Sequence, residues 1–490
     1  MAPNRFFRVS ILFMLLVSAC VPLAETASPE FPQPTEPNQV ELPTPLPTRP
    51  LYEPGTLVDY TAQTGDTLPG LAARFNTTVA EIRVANPIIP PDATTMPPGF
   101  PMRIPIYYKA LWGSPFQILP DSLYVNGPAQ VGFTAVEYLA DTGSWLNTYT
   151  GFAGERNRTG SQIVDYVSTV YSISPRLLLA LLEYQTQSVL SASEPDSTGG
   201  YTLGYADAYH RGLYLQLVWA ANTLNDAYYG WRAGKLDQVN FSDRRLMHPD
   251  PWQNAASVAL QAYYAQVMPT TTDYDRAVSA NGFLNTYTQL FGDPWLDVQP
   301  HIPGSLTQPD MSLPFEPGKT WSYTGGPHTA WGSGNPWAAI DFAPPAVVGG
   351  CNPTQEWATA VADGVIARTD LATAMLDLDG DGDERTGWVV FYLHLASNDK
   401  VAAGTVVQRG DKLGHPSCEG GVSTGTHVHI ARKYNGEWIL ADGALPFNLD
   451  GWVAGDGAQA YLGTLTRAGR RVEACVCSNR ESQITAERSQ

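Results

Sequence analysis

Residues 423–438 read STGTHVHIARKYNGEW, and the fold of the C-terminal third turns on them. Successive side chains of a strand point to opposite faces, so His427 and His429, separated by Val428, turn both imidazoles to one side. Upstream, VVFYLHLAS at 389–397 reads as a second strand. Alternation puts Val390, Tyr392 and His394 on one face, with Phe391, Leu393 and Leu395 packing behind. WSYTGGPHTAW (321–331) and WAAIDFAPP (337–345) add two further runs, carrying His328 and Asp341; five of the eight histidines lie between His328 and His429. A lone His-x-His says little. With an aspartate and two more histidines nearby it becomes a metal-ligand constellation, because imidazole and carboxylate are the donors of open zinc sites.

Residues 312–455 as a whole resemble the lysostaphin-like and β-lytic zinc metalloendopeptidases (peptidase family M23), which cut peptidoglycan peptides. In the commoner form the first ligand is a His four residues before the Asp; that position here is Trp337. Gly326-Pro327-His328, with Asp341 further on, fits the β-lytic branch instead. The resemblance implies an antiparallel β-sheet domain with one Zn2+ per chain, held by His328, Asp341 and His429, and His394 and His427 as the catalytic pair. His415, in Leu-Gly-His-Pro, has no motif role. Cys351 and Cys418 both fall in loops of this stretch and are expected to pair, whereas Cys475-Val-Cys477 could bond internally, cross to the other pair or stay reduced. Asp377, Asp379, Asp381 and Asp383 resemble a Ca2+ loop, but Trp388 stands where an EF-hand needs Glu.

At the other end, Arg5 and Arg8 precede the apolar run ILFMLLV (11–17), too short to span a bilayer and suited to a signal-peptide core. Val17-Ser18-Ala19-Cys20 resembles a lipoprotein lipobox, which implies lipidation of Cys20 and a membrane anchor. Export places the remaining cysteines where disulfides form. The Pro-Thr-Glu-rich segment that follows, to residue 56, cannot bury a core; as extended polyproline it reaches on the order of 90 Å.

Residues 57–108 read strand, helix, helix, strand. Leu68, Leu71, Ala72 and Phe75 share one helical face. Tyr60-Thr-Ala-Gln-Thr-Gly-Asp-Thr-Leu68, with Asn86-Pro87 downstream, resembles a LysM module. That resemblance implies a groove for N-acetylglucosamine chains between two loops, Gly65, Asp66, Thr67 and Leu68 on one side and Asn86, Pro87 and Ile88 on the other.

From about residue 117 to 295 the periodicity is helical. Ser174-Pro175 and Asp250-Pro251 look like helix starts, and Gly234 like a stop. Leu177–Leu182 is apolar all round, so its helix is expected to be buried. The segment resembles the start of lytic transglycosylases and lysozyme-like folds, which would make Glu183 a glycosidase-like general acid. Tyr184 departs from that pattern, where a Ser is usual.

The expected chain is therefore multidomain α+β: signal peptide and lipobox 1–20, Pro-rich linker 21–56, a βααβ LysM module 57–108, an all-α lysozyme-like domain 109–300, a zinc metallopeptidase domain 312–455 and a C-terminal extension 456–490. With 29 basic and 47 acidic residues the net charge is −18, which excludes nucleic acid as a partner because the chain would repel phosphates. The expected function is a lipid-anchored, extracytoplasmic peptidoglycan hydrolase of the cell envelope, cutting peptide cross-bridges with zinc. The alternatives are an inactive LysM lipoprotein that activates other cell-wall enzymes, the amidases, and a bifunctional hydrolase whose helical domain also cuts glycan.

Overall fold

Thr56–Thr61 pairs antiparallel with Pro101–Ile106, and between them lie the helices Leu68–Arg74 and Val79–Ala85. Thr67 accepts from the Gly70 N–H at the first helix start, and Thr78 with Glu81 forms a capping box at the second. Leu71, Phe75, Ile82 and Ile104 close a small core between the helices and the two strands. The computed structural model describes residues 51–107, 109, 112–193, 198–477 and 479–487, which fall within one compact unit. Cys20, the apolar leader and the linker up to residue 50 lie outside the described residues. Among the described residues no helix is long and apolar enough to cross a membrane.

The middle segment is built on the helices Gly160–Tyr171, Pro175–Thr186, Leu213–Arg232 and Ala255–Val267. Ser174 caps the second of these, with Pro175 in its first turn, and Leu177 to Leu182 are all buried. Two expectations need correcting. The segment is not all-α: Thr150–Ala153 pairs with Arg156–Thr159 and Val239–Asn240 with Leu246–Met247. The first hairpin turns at Gly154-Glu155, both at positive φ (50° and 65°), the backbone a tight hairpin requires. Nor does Asp250-Pro251 start a helix; Asp250 accepts from the Trp252 N–H in a turn, and the helix begins at Ala255 behind Asn254.

Beside a separate four-stranded sheet running from Asn448–Leu449 to Arg470–Glu473, the last third carries, among the described residues, a nine-stranded antiparallel sheet. Its central order is Thr373–Asp377, Trp388–Leu393, Val428–Tyr434, Trp337–Ala343, Thr320–Thr329. One face buries Ile340, Phe342, Val390, Tyr392, Val428 and Ile430. The other carries Ala339, Met375, Phe391, Leu393 and Ala431 against the helices. This corrects the facing expected for 389–397. Val390 and Tyr392 go into the sheet core while Phe391 and Leu393 face the site. His394 joins the latter because its φ of 66° breaks the alternation. Chain beyond residue 455 is woven in: Gly463–Arg467 pairs with Trp452–Asp456, and Gln483–Thr485 with Thr320–Thr329. Cys351 and Cys418 form a disulfide, and Cys475 bonds to Cys477.

One buried cation ties the three parts. Arg232, at the end of its helix, pairs with Asp121 at 3.0 Å and Glu437 at 3.1 Å and donates to the Thr64 carbonyl. Glu437 also accepts from His301 Nε2 at 2.7 Å and the Tyr228 hydroxyl at 2.8 Å. Burial alone would raise the Glu437 carboxyl; Arg232 and His301 override it and hold it at about 2.

Candidate metal centre

Strand pairing brings the key side chains together. His429 stands opposite Asp341 on one neighbouring strand and opposite Leu393 on the other, and His328 arrives from Thr320–Thr329. Asp341 Oδ1 lies 3.3 Å from His328 Nε2 and 3.2 Å from His429 Nδ1, and the two nitrogens are 3.0 Å apart. All three residues are buried.

The outer nitrogens decide what the inner ones offer. His328 Nδ1 faces the Gly326 carbonyl at 2.8 Å, and His429 Nε2 faces the Ala330 carbonyl at 3.1 Å. A carbonyl only accepts, so those nitrogens carry the protons and both inner nitrogens point lone pairs at the same spot. Asp341 Oδ1 points there too, buried and without a hydrogen-bond partner. Three converging lone pairs repel unless a cation sits among them. Two imidazoles and a carboxylate suit zinc, with a fourth position left open. The demand for positive charge also shows in the titration. Burial would raise Asp341, yet His328 and His427 hold it well below the carboxylate range, and Asp341 raises His328 against its own burial. Burial lowers His429.

His394 and His427 stand beside this centre, their rings 4.4 Å apart. His394 Nδ1 donates to the Glu419 carbonyl at 2.7 Å and His427 Nδ1 to the Gly425 carbonyl at 2.7 Å, which leaves both Nε2 atoms free. His427 Nε2 is 3.9 Å from Asp341 Oδ2. Burial, then the neighbouring His427 and His429, push His394 down to about 4, so it is neutral near pH 7. The five residues line an open groove of about 770 Å³, rimmed by Val348, Val422 and Val476. Tyr461 was missed by sequence reasoning. Its ring stacks on His328 at 4.0 Å, while its carbonyl accepts from the Gly326 N–H. It lies in the stretch set aside as an extension, with no motif to mark it. His415 is elsewhere, donating to the Glu356 carbonyl and packed on Trp357.

Over 141 residues the chain is 30% identical to the β-lytic metalloendopeptidase of Lysobacter enzymogenes, covering 27% of this chain and 74% of that one. The chain belongs to the β-lytic metalloendopeptidase family. Membership makes it an enzyme and implies zinc. A longer match, 26% identical over 345 residues, covers 66% of this chain and 76% of Protease LasA from Pseudomonas aeruginosa. Residues 60–105 match the LysM domain model and 117–304 the model described as LasA, N-terminal domain. Among solved structures, the M23 metalloprotease pseudoalterin is 28% identical, covering 34% of this chain and 96% of that one with a TM-score of 0.29.

For this β-lytic family member the match over 117–304 takes the place of the lysozyme-like reading of the middle segment, which finds no support. Glu183 ends a buried helix as expected, half-buried, and its Oε2 accepts from the Val189 N–H at 2.8 Å. In the LysM module Asp66 is buried, accepting from the Tyr60 hydroxyl at 2.6 Å and pairing with Arg74 at 2.7 Å. Asn86 is buried too, donating to the Ile82 and Arg103 carbonyls. Gly65 packs on the Arg232 guanidinium, Thr67 caps its helix and Leu68 is core. Pro87 and Ile88 are exposed. Thr64, Thr94 and Thr95 hydrogen-bond backbone of residues 302–306, which run along this side of the module. In the acidic loop Asp377, Asp379 and Asp381 bring carboxylate oxygens within 4.8 Å of one another, but Asp383 is tied by Arg385 and Asp381 by Thr386, and the relatives give no support for Ca2+.

Proposed function

We propose that this chain is a zinc endopeptidase that hydrolyses peptide cross-bridges of peptidoglycan, held on the wall by its LysM module and tethered through a lipidated Cys20 by a proline-rich spacer. The observation that carries the reading is the convergence of three buried lone pairs from His328, Asp341 and His429. These residues are the ligand set, and a bound zinc supplies Lewis acidity and an activated water at neutral pH. The Gly326 and Ala330 carbonyls fix the ligand tautomers and ring orientations, contacts whose loss typically costs about 10–100-fold in metal affinity.

His394 and His427 do the proton work. Each is oriented by a carbonyl on Nδ1 and presents a free Nε2 to the groove. The two divide the acid and base roles between them, one accepting a proton and the other donating to the developing oxyanion and the leaving amine. The stacked Tyr461 ring holds His328 from the open side. The domain limits are those expected from the sequence, with residues 463–467 and 483–485 added to the sheets of the peptidase part. Zinc content of the purified chain, measured together with release of peptide fragments from purified walls, tests the reading. Wall digestion that continues after zinc is stripped would refute it.

A further inference from the structure

His394 sits in a backbone conformation that a side chain disfavours. Its φ of 66° is left-handed, and such a residue stays there only where its surroundings over-determine it. One short segment does so. The His394 carbonyl accepts from the Ser417 N–H at 2.7 Å and the Ser417 hydroxyl at 3.0 Å, and its Nδ1 donates to the Glu419 carbonyl at 2.7 Å. The Glu419 carboxylate in turn accepts from the N–H and hydroxyl of Ser397, just beyond the histidine. Cys418 is the residue between the two that grip His394.

Its disulfide partner stands in a similar relation to His427. Cys351 lies between Gly350 and Asn352. Their carbonyls accept from the Thr426 N–H at 3.2 Å and the Thr426 hydroxyl at 2.6 Å. Thr426 precedes His427, and the His427 N–H reaches the Ser417 carbonyl at 3.3 Å, which closes the circuit. Both stretches, 344–357 and 415–427, are loops between strands, and such segments open at low free energy unless they are pinned. The zinc ligands are held differently. Asp341 and His429 face each other within paired strands, and the Gly326 and Ala330 carbonyls orient the two ligand imidazoles.

We propose that the Cys351–Cys418 disulfide is a positioning element for the acid–base pair, pinning together the two loops that fix His394 and His427 while the sheet alone holds the metal ligands. The proposal rests on the zinc peptidase reading and adds to it a division of labour, one set of contacts for the metal and another for the proton-transfer groups. A cross-link that served stability alone would leave the turnover of the folded enzyme unchanged. Loss of this one slows it, because displacing a reacting group by about 1 Å costs on the order of 10²-fold.

The test uses the zinc-loaded full chain and a quenched-fluorescence peptide that reproduces the bond cut in purified walls, at a temperature where circular dichroism shows the variants folded. Cys351→Ser combined with Cys418→Ser should keep its zinc and hold KM within about 2-fold, while kcat falls about 10–100-fold. Thr426→Val removes the hydroxyl bond to the Asn352 carbonyl and keeps the disulfide. Its kcat should also fall with zinc retained, and Thr426→Ser, which keeps the hydroxyl, should turn over like the parent. If the double serine variant does not fold, the two Thr426 variants decide. Parental kcat in the folded double variant or in Thr426→Val overturns the positioning role, as does a loss of activity that only tracks lost zinc. No cleavage by the zinc-loaded parent overturns the peptidase reading, and this role with it.

Discussion

His328 Nε2 and His429 Nδ1 face each other at 3.0 Å while their opposite nitrogens each donate to a backbone carbonyl. Neither inner nitrogen has a proton to offer the other, so the pair is arranged to share a cation. His429→Ala should therefore leave zinc well below one per chain and abolish peptidase activity. Chelation should lower the melting temperature of the parent but not of the variant; a ligand at 100 times its Kd adds about 2.7 kcal/mol. Metal analysis and paired melts with and without chelator check this.

His394→Ala and His427→Ala should keep zinc and lose turnover by about 10²–10⁴-fold, the usual contribution of a positioned acid or base. Steady-state kinetics alongside metal analysis separates this outcome from loss of a ligand.

Acid should weaken the folded chain early. Glu437 is buried and Glu384 half-buried, each with cationic partners, Arg232 and His301 for the first, Arg368 and Lys433 for the second, which hold both at about 2 rather than 4.5. A depressed folded-state value gives stability that is complete above the unfolded pKa and is lost as pH falls toward the folded one. Each contributes on the order of 3 kcal/mol, lost between about pH 4.5 and pH 2. Denaturant melts across that range should show the loss, and Glu384→Gln, though less stable at pH 7, should show a shallower slope.

Cys351 and Cys418 close a loop of 67 residues, for which the chain-entropy model gives about 4 kcal/mol. The double serine variant should unfold at lower denaturant, and reductant should do the same to the parent. The comparison by denaturant melt is direct.

Glu183 accepts the Val189 N–H, so its carboxylate has a local structural task. Glu183→Gln keeps an acceptor oxygen there, and wall digestion by the variant should release the same peptide fragments at the parental rate. Mass spectrometry of the digest would also reveal any glycan fragment whose release depends on Glu183.

The strand pattern around His427, His429 and Asp341 was legible because period-2 alternation and ligand chemistry point the same way. The order of the LysM module was legible from its apolar helical face and the Tyr60–Leu68 motif. What sequence did not show was set by single backbone angles and long-range packing. His394 reaches the metal side through one left-handed residue, which no alternation rule anticipates. Tyr461 arrives from a strand connection more than a hundred residues after His328. The hairpin at Gly154-Glu155 interrupts a stretch whose helical periodicity dominates on either side.

Arg232 carries a consequence for how the chain comes apart. Its guanidinium meets Thr64, Asp121 and Glu437 at once, one group from each of the three structural parts. Detaching the sheet removes the Glu437 carboxylate, a loss of about 3–5 kcal/mol that falls on the helices, and detaching the LysM module removes the Thr64 acceptor. Partial unfolding is thereby penalised. The LysM module, the helices and the sheet should melt in a single calorimetric transition, and amide hydrogens on both sides of Arg232 should exchange with one shared opening energy.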